Sequence, residues 1–228
     1  MEMSILTLSG ETYRRAFADQ PLPMISYGSE FPEACSREIL RLYCSNVFVI
    51  VSKSLSLSTD SLERLATVLG SKIAGTQVGV ERHTPIHQCV GMIASVRELG
   101  TVDCIVTLGG GSVTDAGKLV RFALANEAYE EEDIISLWAA QSHDPAHRAR
   151  RDIKKPRLPL ICVPTSLSGG EYGPIAGATE TKTLAKRAFD TGVNPTLVIQ
   201  DPELCKATPQ SLWLSSGIRA VDHCVETV

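Results

Sequence analysis

Ten residues, 109–118, read GGGSVTDAGK, follow the apolar run CIVTL and lead into LVRFALA. A glycine-rich turn from a strand into a helix suits a phosphate. Glycine admits positive φ and close backbone approach, and the first N–H groups of a helix have no partner inside it. The stretch is neither the G-x-G-x-x-G fingerprint nor a P-loop, because no Gly-Lys-Ser/Thr appears. Alone, it reads equally well as a tight turn in which Ser112 or Thr114 caps the helix. A second turn rich in Gly, Ser and Thr, CVPTSLSGGEYG (162–173), follows another apolar run. Two such turns after parallel strands fall on one carboxyl edge of a sheet, where open α/β sheets bind ligands. Together they point to a dinucleotide.

Histidines supply the other candidate chemistry. In GIRAVDHCVE, Arg219 and His223 lie four apart on one helical face, and Asp222 and Glu226 four apart on a neighbouring face. His223 has the chemistry of a metal ligand or a proton donor, although a lone histidine is ordinarily packed or surface-lying. Arg219 can equally bridge Asp222 at i,i+3. His83/His87 and His143/His147 also have i,i+4 spacing, but a proline interrupts each pair and no acid or cysteine completes a set. No metal is expected at either pair.

The elements that must position these residues alternate. NVFVIVS (46–52), DCIVTL (103–108), RLPLICVPT (157–165) and NPTLVIQDP (194–202) read as strands buried on both faces. TQVGV (76–80) reads as a further short strand. STDSLERLATVLGSKI (58–73) reads as a helix with Ser58 or Thr59 as N-cap. TPIHQCVGMIASVRELG (84–100) reads as a helix with Pro85 near its first turn and Gly100 past its end. SVTDAGKLVRFALAN (112–126) supplies the helix after the glycine run, and the chain turns wholly helical after Pro209. Strand and helix in alternation specify an α/β domain with a parallel sheet. There is no internal repeat or low-complexity tract.

The formal net charge of −4 provides no global basic field for nucleic acid. A local basic stretch, HRARRDIKKPR (147–157), follows the acidic EEED (130–133) and reads as a solvated surface loop. The seven cysteines are scattered and never form CxxC pairs, as expected for reduced, buried thiols. Neither a signal peptide nor a membrane span is expected. The expectation is a soluble cytoplasmic protein that meets a small-molecule substrate, neither nucleic acid nor membrane, with a homodimer left open.

Taken together, the motifs resemble the iron-containing alcohol dehydrogenase family. GGGSVTDAGK resembles the family's GGGSxxDxxK cofactor loop, and DPEL (201–204) with SSGIRAVDHCVE (215–226) resembles its strand-end DPEL and following helix. VPTSLSGGEYGPIAGAT (163–179) is closest to the maleylacetate reductase branch. The resemblance implies a dehydroquinate synthase-like α/β domain that binds NAD or NADP, here over 1–205, followed over 206–228 by the first helix of an all-helical catalytic domain. It places Gly109, Gly110, Gly111 and Ser112 at the pyrophosphate and matches Asp115 and Lys118 to fixed loop positions. It brings Thr165 and Ser166 to the cofactor from the second loop, and sets Lys186 near a cofactor-contacting lysine.

Two departures stand out. The family's metal helix offers Asp and His four residues apart, and here Arg219 stands at the Asp position, leaving only His223. A guanidinium cannot ligate a cation. The resemblance therefore implies a hydride-transferring enzyme working without the family's iron or zinc, with Arg219 free to bind a substrate carboxylate. A metal-dependent alcohol dehydrogenase and a non-catalytic nucleotide-binding remnant are the alternatives. The second departure is that the chain stops at Val228, inside that helix, so truncation is expected. After NVFVIV come Ser52 and Lys53 rather than the acid that holds a ribose 2′-OH, and Lys53 could meet a 2′-phosphate.

Overall fold

The computed structural model describes residues 7–141 and 152–226, so His143 and His147 lie outside the described residues. In chain order the elements are β1 (Thr12–Arg15), β2 (Met24–Tyr27), α1 (Phe31–Arg41), β3 (Val47–Val51), α2 (Lys53–Ser58), α3 (Ser61–Leu69), β4 (Ile73–Val78), α4 (Ile86–Glu98), β5 (Cys104–Gly109) and α5 (Gly111–Ala125). There follow α6 (Glu131–Ala140), β6 (Leu160–Pro164), β7 (Ile175–Thr179), β8 (Lys186–Asp190), β9 (Leu197–Gln200), α7 (Pro202–Cys205) and α8 (Gln210–Glu226).

Seven strands form one sheet in the order β1-β2-β9-β6-β5-β3-β4, parallel except where β1 meets β2. Every residue of β3, β5 and β6 is buried, as their unbroken apolar runs require. One apolar core, from α4, α5, α6, β7 and β8, covers one face of the sheet; a second, from α1, α2 and α3, covers the other. Helix α5 lies directly on β5 and β6. A Cβ at Gly117 would sit 2.6 Å from Thr107 Cγ2 and 3.1 Å from Leu160 Cδ1.

The chain leaves β3 for β4 on one side and returns to β5 on the other. That reversal makes the carboxyl ends of β3 and β5 the topological switch point, where ligands bind in such sheets. The expected helix stop is present: α4 ends at Glu98 and Gly100 has φ +79°. The acidic EEED stretch forms the start of α6, where its carboxylates face the positive end of the helix.

Elsewhere the structure departs from the sequence reading. Asp60, not Ser58 or Thr59, holds the N-cap position of α3, and Ser58 ends the separate helix α2. Gly110, not Ser112 or Thr114, is the N-cap of α5. Strands β1 and β2, helices α1 and α6, and the β7–β8 hairpin had no counterpart in the reading. Asp201 of DPEL has a structural task. Its Oδ2 accepts from Phe31 N at 3.0 Å, and its Oδ1 accepts from Glu203 N and Leu204 N at 2.9 and 3.2 Å. One carboxylate thus caps α7 and satisfies the first N–H of α1.

Candidate functional site

The two glycine-rich loops meet at the switch point. Gly109 has φ +148°, and a Cβ there would stand 3.0 Å from both Ser52 Cβ and Val113 Cγ2. Ser52, which follows β3, donates its N–H to Leu108 O at 2.9 Å, which locks the two strand ends together. Thr165 N donates to Gly109 O at 3.1 Å. A Cβ on Gly110 would lie 3.5 Å from Ser166 Oγ, and one on Gly111 3.1 Å from Ser168 Oγ. Glycine at 109 therefore lets the turn pass between Ser52 and Val113, and glycine at 111 lets the second loop close against the first.

Helix α5 starts in this cleft. Val113 N and Thr114 N turn back to Gly110 O at 3.0 and 3.3 Å. The N–H groups of Gly111 and Ser112 are left without a partner among the described residues, at the positive end of a 15-residue helix. A third segment closes over them. Ser112 Oγ accepts from His83 N at 3.1 Å, so its own proton stays available to an anion, and Thr84 Oγ1 donates to Ser112 O at 3.0 Å. His83 and Thr84 both carry positive φ, 66° and 52°. The sequence reading missed this turn, whose only local signals are Gly79 and Pro85.

Asp115 and Lys118 position the second loop. Lys118 is fully buried, and its Nζ lies 2.8 Å from Asp115 Oδ1. It also donates to Gly170 O at 2.9 Å and to Ile175 O. An ammonium has three protons, and all three are taken inside the protein. Thr165 and Ser166 are buried at the mouth of the cleft; Thr165 O accepts from Thr208 Oγ1 at 2.6 Å, and Ser166 Oγ donates to Ser168 Oγ at 3.3 Å. Lys186 is exposed on β8, opposite Thr179, whose N–H donates to Thr84 O at 3.1 Å. It therefore projects from the hairpin that flanks the third segment.

Beside the second loop lies a cavity of about 570 Å³, lined among others by Ser166, Glu171, Tyr172, Gln200 and Trp213. Glu171 is buried, and its Oε2 has no hydrogen-bond partner. Burial raises its carboxyl above the ordinary 4.5, against a backbone hydrogen bond and the Lys118 ammonium. The folded state thus holds this proton more tightly than the unfolded chain. Stability from Glu171 is full below pH 4.5 and is lost as pH rises through the folded value. Glu171→Gln should therefore raise the thermal midpoint at neutral pH and flatten its decline above pH 4.5. An unchanged pH–midpoint curve would contradict this.

Other chemistry is weaker. Burial pushes the thiols of Cys89 and Cys162 up to about 12, so neither is a thiolate nucleophile near neutrality. On α8, Arg219 Nη1 meets Asp222 Oδ2 at 2.9 Å, the simple i,i+3 bridge. His223 lies on the same helix, and its side chain is outside the description. His83 precedes α4 whereas His87 is inside it, with Nδ1 3.3 Å from Thr181 Oγ1, so the pair does not share a helical face.

Residues 23–202 match the family model of iron-containing alcohol dehydrogenase. The chain belongs to this family. It is 36% identical over 226 residues to Dehydrogenase FUM7 of Gibberella moniliformis, covering 98% of this chain and 53% of that protein. The crystal structure of maleylacetate reductase from Agrobacterium tumefaciens is 27% identical and superposes with a TM-score of 0.66, over 92% of this chain and 49% of that one. Sulfoacetaldehyde reductase from Bifidobacterium kashiwanohense, solved in complex with NAD+, shares the fold at a TM-score of 0.73 and 18% identity, over 91% of this chain and 51% of that one. The chain thus spans about half the length of the relatives it matches.

The family name implies iron. Among the described residues no three carboxylate, imidazole or thiolate groups converge on a point that could hold a metal ion. Arg219 adds a cation without lone pairs to the helix that carries His223. The described donors of this iron-type dehydrogenase chain do not make a metal site. No described helix is long and apolar enough to cross a membrane.

Proposed function

We propose that this family member binds NADPH or NADH and transfers a hydride between it and a small carbonyl, alcohol or maleylacetate-like substrate without a metal. One observation carries the reading: the free N–H groups of Gly111 and Ser112 open into a cleft walled by two glycine-rich loops at the switch point. The maleylacetate reductase likeness and the NAD+ bound by a neighbour of the same fold support it.

A dihydronicotinamide, when bound, would supply a hydride to the electrophilic carbon of the substrate: the carbonyl carbon of an aldehyde, or the alkene carbon conjugated to the ketone of a maleylacetate-like substrate. The protein's part is to orient and to exclude water. The α5 N-terminus, with Gly109–Ser112, holds the pyrophosphate. Thr165 and Ser166 wall the cleft from the second loop, which Lys118 and Asp115 fix. Lys53 is exposed at the start of α2, beside the switch point, and suits a ribose 2′-phosphate, which favours NADPH. His223 gives the proton that the reduced substrate takes up, and Arg219 receives a substrate carboxylate.

The test follows oxidation of NADPH and NADH with maleylacetate and with simple aldehydes, with and without a chelator. Turnover that survives the chelator supports the reading. Arg219→Ala should raise KM for the acidic substrate about tenfold, the order lost with one charge-assisted pair. It should leave the thermal midpoint unchanged, because its partner Asp222 is also exposed. An unchanged KM would remove Arg219 from the site. A second reading, dinucleotide binding without turnover, is favoured by α8, where Leu214, Ile218, Val221 and Val225 are exposed. Binding with no oxidation of either cofactor would select it.

A further inference from the structure

A second charged cavity lies at the opposite edge of the sheet. It measures about 770 Å³ and is lined by Arg121, Lys154, Lys155 and Arg157, with Leu158 and Val193 among the rest and no acidic residue. Arg121 projects from α5 and is 1% exposed. Its Nη1 and Nη2 donate to Leu158 O at 3.5 Å and to Val193 O at 2.5 Å, and its Nε has no partner. The two carbonyls belong to the segments that enter β6 and β9. The five residues of β6 separate this cavity from the Gly109 turn by about 13 Å.

Bracing two loops accounts for two of the guanidinium nitrogens. It does not account for the charge. Desolvation lowers the Arg121 pKa to about 10, and no carboxylate offsets it. A buried cation without a counter-charge is strongly unfavourable. Its surroundings add cations instead. Lys154 pairs with Glu127 at 3.2 Å, whereas Lys155 and Arg157 have no acidic partner among the described residues. The stem of the exposed Lys155 passes Gly192, where a Cβ would stand 3.3 Å from its Cε. The basic stretch read from the sequence as a solvated loop therefore gathers its last cations around a buried guanidinium.

We propose that this cavity binds a phosphate-type oxyanion, either inorganic phosphate or a phosphomonoester. A tetrahedral dianion presents several acceptors to the two flanking cations, Lys155 and Arg157, and sets its charge against the buried Arg121 guanidinium. It supplies the counter-charge Arg121 lacks. Occupancy would also stabilise the fold by linkage, through residues 154–158 and Val193.

The experiment titrates the protein with inorganic phosphate at ionic strength matched with chloride, reading backbone amides and arginine Nε–H groups by NMR. The expected result is a saturable shift of the Arg121 Nε–H and of the Lys155 and Val193 amides, with a rise in thermal midpoint. The double variant Lys155→Gln/Arg157→Gln alters two exposed side chains, so it should fold and bind phosphate at least tenfold more weakly. Glycerol 3-phosphate then separates the sources. Tighter binding than phosphate assigns a phosphomonoester, and equal or weaker binding assigns inorganic phosphate. No saturable shift at Arg121, shifts confined to residues 109–112, or full affinity in the double variant would each overturn the proposal.

Discussion

Gly110→Val should abolish dinucleotide binding and leave the fold in place. The backbone at Gly110, φ −80° and ψ −173°, is extended and open to a β-branched residue. Its Cβ would meet Ser166 Oγ at 3.5 Å, ordinary contact, so the structural cost is small. The isopropyl group would stand over the N–H groups of Gly111 and Ser112, where the account places the pyrophosphate. Affinity should fall at least a hundredfold, about 2.7 kcal/mol. Gly109→Ala is a poor substitute, because φ +148° and two 3.0 Å approaches make it a folding variant. Circular dichroism melts confirm the fold of Gly110→Val, and cofactor titration reads the loss. An unchanged Kd would move the pyrophosphate away from this turn.

Lys118→Met should cost about 3 kcal/mol of stability or more, because it removes one member of a buried hydrogen-bonded pair. The ammonium is fully buried and holds Asp115, Gly170 O and Ile175 O at once. A methionine fills most of its volume and leaves two carbonyls and a carboxylate without their donor. Urea unfolding at unchanged slope measures the loss through the midpoint. Asp115→Asn should cost less, because the Asp115 side chain is 25% exposed and keeps access to water. A loss under about 1 kcal/mol for Lys118→Met, the scale of an ordinary surface change, would show that the clamp does not hold the second loop.

What could be read from the sequence follows from where burial is complete. β3, β5, β6 and the apolar part of β9 are largely apolar runs because the parallel sheet is covered on both faces. β1 (TYRR) and β8 (KRAFD) are mostly polar edge strands of their sheets, and pairing that completes an edge leaves no periodic signature. The glycine turn was legible as a candidate phosphate site because its chemistry is local. The task of Lys118 was not, because its acceptors lie 52 and 57 residues away. Nothing local in LVRFALA marks Arg121 as buried. It is buried because the segments before β6 and β9 close over the end of α5. The turn at His83 and Thr84 depends on positive φ at non-glycine residues, which only tertiary contacts impose.

The division expected at residues 205 and 206 falls between α7 and α8. α8 touches the second loop through Ser216 Oγ, which accepts from Leu167 N at 3.1 Å, and Leu167 would lie 3.3 Å from a Cβ on Gly217. Trp213 of α8 lines the cavity that Glu171 also lines. A tryptophan therefore stands beside the cleft and serves as its reporter.

Titration of the purified protein with NADPH and NADH, followed by energy transfer from tryptophan to the reduced nicotinamide, tests the central claim most directly. Saturable one-site binding of at least one of them is expected, NADPH the tighter, with its loss in Gly110→Val. No saturable binding of either cofactor, or equal binding by Gly110→Val, would contradict the assignment of the Gly109–Ser112 turn as the pyrophosphate site.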